Sequence, residues 1–457
     1  MNGKRREETR SNSREPEEDS GEAALNRSDV ITARGLSRWP MAHVRRLLLG
    51  LYIAAAAGDA AAKAIAANET LNRTITQHLA PSAAASVESA RRPSGNFEIF
   101  RAAARHLVLG RNLYASYPGE LQDHFKYSPT FAFLFAPLAW LPWPLALFLW
   151  STLNALVLFV AIERLLAPAA GTLVLACLFP EVLRSMQNAQ SNALVAGLIM
   201  LAFLALEREH AWRAAGAAVL GGFVKIFPLA ALIFAIPRRK LLLVIVASLT
   251  VTLAMMLAPL LVTAPTSLLA QYQSWGLTES ADAHQRWFSV MELLHRWLGV
   301  DWPNWPIQLA GALVLLTPLA LRRDRWTDAS FRIVFLCSVL VYVTLFNHQA
   351  ERSSYLIAFV GATIWFASGT HTTARVVLYS VTMVTIPIMS TMLPVPELLR
   401  SPTGMLYRLA LPILAIWLVM QRDLAIGHAR PISGGFRGGQ TAGLEPDPSA
   451  IARAGGN

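Results

Sequence analysis

Long apolar runs, separated by short polar or basic stretches, occupy most of the chain between about residues 47 and 421. A helix needs roughly 20 predominantly apolar residues to cross a hydrocarbon core about 30 Å thick. Runs of this kind recur throughout the region, and the run over residues 241–262 contains no charged residue. The pattern predicts an all-α, polytopic transmembrane protein with about 12 spans. The predicted spans are residues 47–67, 128–141, 144–166, 168–180, 188–207, 212–235, 241–264, 305–321, 331–347, 353–369, 375–393 and 405–421.

The composition agrees with this pattern. Of the 457 residues, 54% are hydrophobic and 15% are charged, whereas a soluble globular domain carries about 25% charged residues. The chain therefore lacks the polar surface that a soluble domain of appreciable size requires. We expect residues 45–421 to form one polytopic domain. The polar stretches 1–44 and 422–457 are predicted to be a disordered tail and a flexible tail, both cytoplasmic.

The net charge of +11 is not arranged as a nucleic-acid-binding face, because the basic residues lie mainly at the ends of apolar segments and in the tails. Lys and Arg in short flanks mark the cytoplasmic side of a membrane protein. When each span counts as one crossing, the basic clusters at 238–240, 322–323, Arg375 and Arg422 share the side of the N-terminal tail. We expect a multi-pass plasma membrane protein (bacterial inner membrane) with cytoplasmic termini and with linkers 68–127 and 265–304 outside.

The same count places the polar stretch 181–192 on the inside. Two predicted spans, residues 128–141 and 168–180, are short for a crossing, so a re-entrant or deeply buried segment is the alternative for each. The side on which residues 181–192 lie depends on that choice.

The two cysteines, Cys177 and Cys337, both lie inside apolar segments and have no metal-binding spacing. We predict neither a disulfide nor a metal site, and no cofactor is expected.

Polar residues are most concentrated in the first external segment, residues 95–127. Residues 97–108 have helical spacing, with Phe97, Phe100, Ala104 and Leu107 on one face, which predicts an interfacial helix along the membrane surface. An interfacial helix with solvated charges and a site for lipid head groups explain the segment equally well. The side chains that would supply chemistry here are Asn96, Glu98, Asp123 and Lys126.

Three further polar groups interrupt the apolar pattern. Gln190 and Asn192 lie in the stretch 181–192, Lys225 lies inside a predicted span, and His348, Glu351 and Arg352 lie in a tight turn. Because an unpaired lysine inside a membrane is energetically unfavourable, we expect Lys225 to face a polar cavity and an anion. The alternative is a purely structural partner, such as Asn188 or a backbone carbonyl. Asp59 and Lys63, four residues apart, are interpreted as an ion pair on the helix surface.

Several short motifs occur in an order that resembles glycosyltransferase family 87. They are Asn96-Phe97 with Phe100, Gly110 and Tyr114; Tyr127-Ser128-Pro129; Ala136-Pro137-Leu138 and Leu141-Pro142; Gln190-Ser191-Asn192; Lys225-Ile226-Phe227-Pro228; and His348. That family contains polyprenyl-phosphate-mannose-dependent mannosyltransferases, α-1,2 enzymes among them, of the GT-C fold.

The resemblance implies a GT-C-like architecture whose active site lies in a long first external loop. It implies a polyprenyl-phosphate-linked sugar as donor, with mannose as the expected hexose, and a lipid or glycan as acceptor, all within reach of membrane lipids. A carboxylate would deprotonate the acceptor, and cations would stabilise the departing phosphate. The implied roles are base, Glu98 or Asp123; donor phosphate binding, Lys126, Lys225, His348 and Arg352; sugar or acceptor binding, Asn96, Gln190, Asn192 and Glu351.

This sequence departs from the family at one position. The family usually carries an aspartate where Asn96 stands, and an asparagine cannot act as a base. Two other functions therefore stay open. One is a transporter or flippase for a lipid-linked or anionic substrate, and the other is a catalytically inactive protein of the same fold.

Overall fold

The computed structural model describes residues 41–68, 95–118, 123–389 and 395–427. The chain divides into two units, Met1–Leu47 and Leu48–Asn457. Of the first unit, only residues 41–47 are described, and they form the beginning of the first helix. Most of both predicted tails, 1–40 and 428–457, lies outside the described residues.

The described residues form helices and no extended strand, which confirms the all-α class. The α-helices are α1 (Met41–Ala67), α2 (Gly95–Val108), α3 (Pro129–Ala139), α4 (Trp143–Leu165), α5 (Pro168–Gln187), α6 (Asn192–Glu207), α7 (Ala211–Val224), α8 (Leu241–Leu257), α9 (Pro265–Asp282), α10 (Val290–Leu298), α11 (Asn304–Leu321), α12 (Ala329–Leu345), α13 (Tyr355–Ala367), α14 (Thr373–Met383), α15 (Glu397–Arg400) and α16 (Pro402–Ile426). Short 3-10 segments cover Phe227–Ala235, Ala258–Leu261, Arg323–Arg325 and Arg352–Ser354, and a π-helical turn, Val384–Ile388, extends α14.

Within the described part of the chain, six helices are long and apolar enough to cross a membrane by length and composition. They are α1, α4, α5, α8 together with its 3-10 extension, α11 and α16. Five shorter apolar helices accompany them, namely α3, α6, α7, α12 and α14 with its π-helical turn. This set supports a multi-pass membrane protein, and the number of 12 spans stays a prediction.

The predicted span 168–180 is too short. Helix α5 continues through Pro180 and ends at Gln187, where Asn188 caps it. Helices α1 and α5 run side by side in the same direction, because Tyr52 donates a hydrogen bond to the Leu175 carbonyl and Lys63 donates one to the Gln187 carbonyl. The ends of α1 and α5 therefore lie together.

The predicted span 212–235 is not one helix. Helix α7 ends at Val224, Lys225 has an extended backbone, and the 3-10 segment Phe227–Ala235 returns along α7. A Cβ atom on Gly221 would lie 2.6 Å from Cγ of Pro228, so the two arms are in close contact where glycine allows it. Residues 211–235 thus form a hairpin with Lys225 at its tip.

The short helix α3 has 11 residues, about 17 Å of helix, which is well below a membrane thickness. The Arg101 guanidinium donates to the carbonyls of Ala139 and Leu141, so α2 packs along α3 and holds its C-terminal end. The chain then enters α4 at Trp143, whose ring packs on Phe97. Helix α3 therefore begins and ends beside α2.

Helix α2 confirms the predicted helical spacing, and its apolar face is covered by protein. Phe97, Phe100, Ala104 and Leu107 are all fully buried. Phe100 packs edge-on against Phe131 of α3 and Trp150 of α4. Aromatic side chains of α3 and α4 therefore cover this face, and the position of the helix along a membrane surface stays a prediction.

The predicted basic clusters after α1 share one end of the second unit. Glu207 at the end of α6 binds Arg238 and Arg332, and Arg332 Nε lies 2.7 Å from its carboxylate. Arg322 donates to the Ala425 carbonyl, and Arg375 pairs with Asp423. We call this the basic end. The opposite end carries the ends of α1 and α5, the hairpin tip at Lys225 and the loop before α13.

Candidate functional site

The polar groups of three separate segments meet at the end opposite the basic end. Lys225 Nζ donates to Asn192 Oδ1 at 2.9 Å, and Asn192 Nδ2 donates to the Ser353 carbonyl at 2.8 Å. Asn192 begins α6 and is fully buried. The hairpin tip, the start of α6 and the loop before α13 are therefore held together by one asparagine side chain.

These contacts place residues 187–192 at the end opposite the basic end, whereas the simple count places them on the side of the basic clusters. Asn192 and its neighbours lie beside Lys225, and Asn96 Nδ2 donates to the Asn188 carbonyl at 3.2 Å. The simple count fails because α3 is too short to cross and because residues 211–235 fold back on themselves. The simple count includes one crossing too many at α3 and one too few at residues 211–235. It therefore gives every later helix the direction that the structure shows, and the basic clusters still share an end.

Glu351 is the exposed carboxylate of this group. It interacts electrostatically with Lys225 and with Tyr127. Its Oε2 atom accepts a hydrogen bond from Ser353, the residue whose carbonyl binds Asn192. A solvent-accessible acid thus lies within electrostatic range of a lysine that is fixed by an amide, an arrangement that can accept a proton on one side and hold an anion on the other.

A second acidic group lies on α9, inside the predicted external linker 265–304, which is largely helical. Asp282 accepts a hydrogen bond from Lys126 at 2.8 Å and another from Gln285 at 2.7 Å. Glu279 accepts from the Trp275 indole, and burial raises the pKa of its carboxyl despite that bond. Lys126 is therefore neutralised by Asp282 in this structure.

Helix α9 is tied to both neighbouring segments. The Gln271 side chain accepts from the Leu113 amide and donates to the Arg111 carbonyl, both at 2.9 Å. Beyond the end of α9, the Phe288 amide donates to the Ala350 carbonyl. These bonds fix residues 111–113 against α9 and fix the loop 346–354 against the segment that follows α9.

His348 lies half-buried in that loop. Burial lowers the pKa of its imidazole, and the nearby Asp282 carboxylate opposes the shift. The side-chain amide nitrogen of Gln308 lies 3.3 Å from Nδ1 of His348. Nε2 of His348 is buried and has no hydrogen-bond partner among the described residues. A neutral imidazole carries no charge to hold a phosphate, so the geometry favours a polar or proton-accepting role.

Arg352 binds a carboxylate that the sequence interpretation did not single out. Its Nη2 lies 2.6 Å from Oε1 of Glu181, a fully buried acid on α5. Arg184 and Arg408 interact electrostatically with the same pair. An acid inside an apolar helix requires a basic partner, and this rule would have marked Glu181 once α5 was known to continue past Pro180.

The two predicted bases lie in other surroundings. Glu98 accepts a hydrogen bond from the Trp143 indole at the start of α4. Asp123 is exposed and accepts from the amide of its neighbour His124. No described contact links either carboxylate to Lys225 or Asn192. Catalysis by Glu98 or Asp123 stays a prediction.

Gln190 is buried, and its backbone amide closes the end of α5 by donating to the Ser185 carbonyl. Gln190 precedes Asn192 by two residues in the sequence. Among the described residues, no cluster of three or more His, Cys, Asp or Glu side chains is placed to hold a metal ion.

Comparison with known families concerns this same region. The family model of glycosyltransferase family 87 matches residues 125–348, just under half of the chain. This match supports glycosyltransferase family 87. The part similar to glycosyltransferase family 87 contains Lys126, Gln190, Asn192, Lys225 and His348. Together with the apolar helices, the match supports a membrane glycosyltransferase. No curated protein matches the chain.

Proposed function

We propose that this protein transfers a hexose, mannose by its resemblance, from a polyprenyl-phosphate donor to a hydroxyl group of a lipid or glycan acceptor. One observation carries the proposal. Within the span that matches a glycosyltransferase family, Lys225 and Asn192 come together at one end of a membrane protein, beside the exposed acid Glu351. A GT-C architecture, and a site facing the outside of a plasma membrane, belong to the same proposal.

The reaction needs a cation and a base in these positions. The acceptor oxygen forms a bond to C1 of the sugar, while the bond from C1 to the phosphate oxygen breaks and the phosphate leaves with the electron pair. Lys225 stabilises the charge that develops on this phosphate, since a fixed cation away from bulk water is most effective there. Glu351 accepts the proton of the acceptor hydroxyl.

Asn192 has a positioning role in this scheme. Its Oδ1 accepts from Lys225, and its Nδ2 is held by the Ser353 carbonyl. Since the amide is fixed on both sides, the lysine ammonium is directed before substrate binds, and two of its donors remain for the phosphate. Lys126 and Arg352 already bind Asp282 and Glu181. They contribute to the field of the site more than to direct phosphate contact.

The test is transfer from polyprenyl-phosphate mannose by the purified protein in lipid nanodiscs. Lys225→Met keeps the length of the side chain and removes its charge, and kcat is expected to fall about 100-fold or more. The matched control is Lys240→Met, at the basic end beside Glu209, which is expected to keep wild-type turnover. If the wild-type protein transfers no hexose from any polyprenyl-phosphate donor, the proposal fails.

A transporter is the second candidate, and the hairpin at Lys225 is the observation that favours it. Helices interrupted at polar residues form substrate sites in many transporters. In that case, proteoliposomes would accumulate a lipid-linked or anionic substrate without forming a new glycoside. Product analysis of the same vesicles by mass spectrometry separates the two functions.

A further inference from the structure

The turn that precedes Asn192 is held by three different helices. Lys63 of α1 donates to the Gln187 carbonyl at 2.6 Å, Asn96 of α2 donates to the Asn188 carbonyl at 3.2 Å, and Trp150 of α4 donates to the Ala189 carbonyl at 2.9 Å. Three successive carbonyl groups thus each accept from a side chain that is remote in sequence. Helix α5 ends here, so these carbonyls have no partner further along the helix.

The turn needs this support because its backbone is strained. Ala189 has a φ of 49°, in the left-handed region that a residue with a Cβ atom rarely adopts. Such a conformation is energetically unfavourable and persists only where surrounding contacts determine it. Without the three donors, the turn would relax toward ordinary backbone angles and carry the start of α6 with it.

What the turn positions is the centre of the candidate site. Asn192 follows Ala189 by three residues and binds both Lys225 and the Ser353 carbonyl. A displacement of the turn therefore changes the direction of the lysine ammonium. The Asp59 carboxylate, 2.8 Å from Lys63, keeps that donor in place. The predicted ion pair between Asp59 and Lys63 is therefore confirmed, and it is buried against the rest of the protein, with side-chain exposures of 8% and 7%.

We infer that Lys63, Asn96 and Trp150 form a clamp on the carbonyls of residues 187–189, and that all three are positioning residues for Asn192 and Lys225. The inference rests on the proposed transferase function for its kinetic consequences only. The three hydrogen bonds of the clamp do not depend on that function.

The clamp requires a hydrogen-bond donor at residue 96. The side chain must donate to a carbonyl oxygen, and an amide has two N–H donors, whereas an ionised carboxylate has none. An aspartate here would direct its negative charge at the Asn188 carbonyl and lose the bond. Asn96 is therefore suited to holding the turn, which argues against reading it as a base lost from an inactive enzyme.

The decisive variant is Asn96→Asp, assayed with polyprenyl-phosphate mannose in nanodiscs. Loss of one hydrogen bond is expected to lower kcat about threefold to tenfold, with the KM for the acceptor changed less than twofold. Asn96→Gln keeps a donor and is expected to restore most of the activity. The matched control is Asn112→Asp, because Asn112 accepts from the Tyr114 amide and a carboxylate can do the same.

The pH profile gives opposite signs for the two roles of residue 96. A protonated carboxyl group can donate, so the activity of Asn96→Asp relative to wild type is expected to rise as pH falls from 8 to 5. If the aspartate acted as a base, the ratio would rise with increasing pH. An activity of Asn96→Asp equal to or above wild type would overturn the inference.

A readout independent of turnover is amide hydrogen exchange over residues 186–192. Asn96→Asp and Trp150→Phe are each expected to speed exchange of this peptide at least threefold, with exchange in α12 unchanged. Unchanged exchange in both variants would overturn the clamp even if the enzyme is active. If the wild-type protein transfers no hexose but the exchange changes as expected, the proposed function fails while the clamp stands.

Discussion

The carboxylate that interacts with Lys225 belongs to Glu351, an exposed residue in the loop before α13. Glu98 lies two residues from Asn96, but its carboxylate meets the Trp143 indole. Glu351 lies far away in sequence and interacts electrostatically with Lys225. Distance along the chain does not determine which carboxylate lies near Lys225, because successive residues of a helix point in different directions.

At this scale the prediction concerns Glu351→Gln, which keeps the shape of the side chain and removes its basicity. Loss of a general base is expected to lower kcat about 100-fold or more, with little change in the KM for the donor. Single-turnover assays with polyprenyl-phosphate mannose measure it. The controls are Glu98→Gln and Asp123→Asn, expected to stay within about threefold of wild type. A large loss in either control, with Glu351→Gln active, would return the base to the first external segment.

Among the elements, the hairpin of α7 and the 3-10 segment was the least predictable from sequence. The apolar pattern of residues 212–235 continues across Lys225 almost without interruption. Hydropathy therefore predicts a single span here. The reversal depends on contact between the two arms, and Gly221 against Pro228 is its closest point. The local signals, a glycine pair and Pro228, were visible, but only the packing shows that they act together.

Other elements followed directly from the sequence. The apolar runs predicted α4, α11, α12 and α8 with its 3-10 extension to within about three residues, because long apolar runs leave little choice of structure. Helix α5 was predicted to end early because Pro180 and the polar residues after it resemble a helix end. In the structure Glu181 finds a basic partner in Arg352, and this tertiary contact allows the helix to continue.

Gly221→Ala tests the hairpin directly. The added Cβ atom would lie 2.6 Å from Cγ of Pro228 and 3.2 Å from Leu198, so the arms must separate. Overpacking of this kind costs about 1–3 kcal/mol, and the melting temperature in detergent and the transfer activity are both expected to fall. Gly216→Ala is the matched control on the same helix, because no atom lies within 4 Å of its added Cβ. A Gly221→Ala protein that melts with Gly216→Ala or above it would show that the arms are not in close contact.

For the whole molecule, the contacts sort the helix ends into two groups that a count of apolar runs does not reproduce. The count in which each predicted span crosses once separates residue 187 from the linker 265–304. The structure instead joins the end of α5 to α1, α2 and the hairpin tip. It places Glu209, which binds Lys240, with the basic end. The difference arises from α3 and the hairpin, whose two errors offset each other beyond residue 238.

Cysteine labelling from one side of the membrane decides between the two topologies. In a Cys177→Ala, Cys337→Ala background, single variants Gln187→Cys, Ala283→Cys and Glu209→Cys each place a thiol on an exposed residue. A membrane-impermeant maleimide applied to intact cells or oriented vesicles is expected to label Gln187→Cys and Ala283→Cys from the same side. Glu209→Cys is expected to be labelled only from the other side. The simple count requires Gln187→Cys and Ala283→Cys on opposite sides, so labelling in that pattern would contradict the fold. Hexose transfer by each variant checks that the labelled protein is functional. In the proposed function, Lys225, Asn192 and Glu351 lie on the side from which Gln187→Cys is labelled.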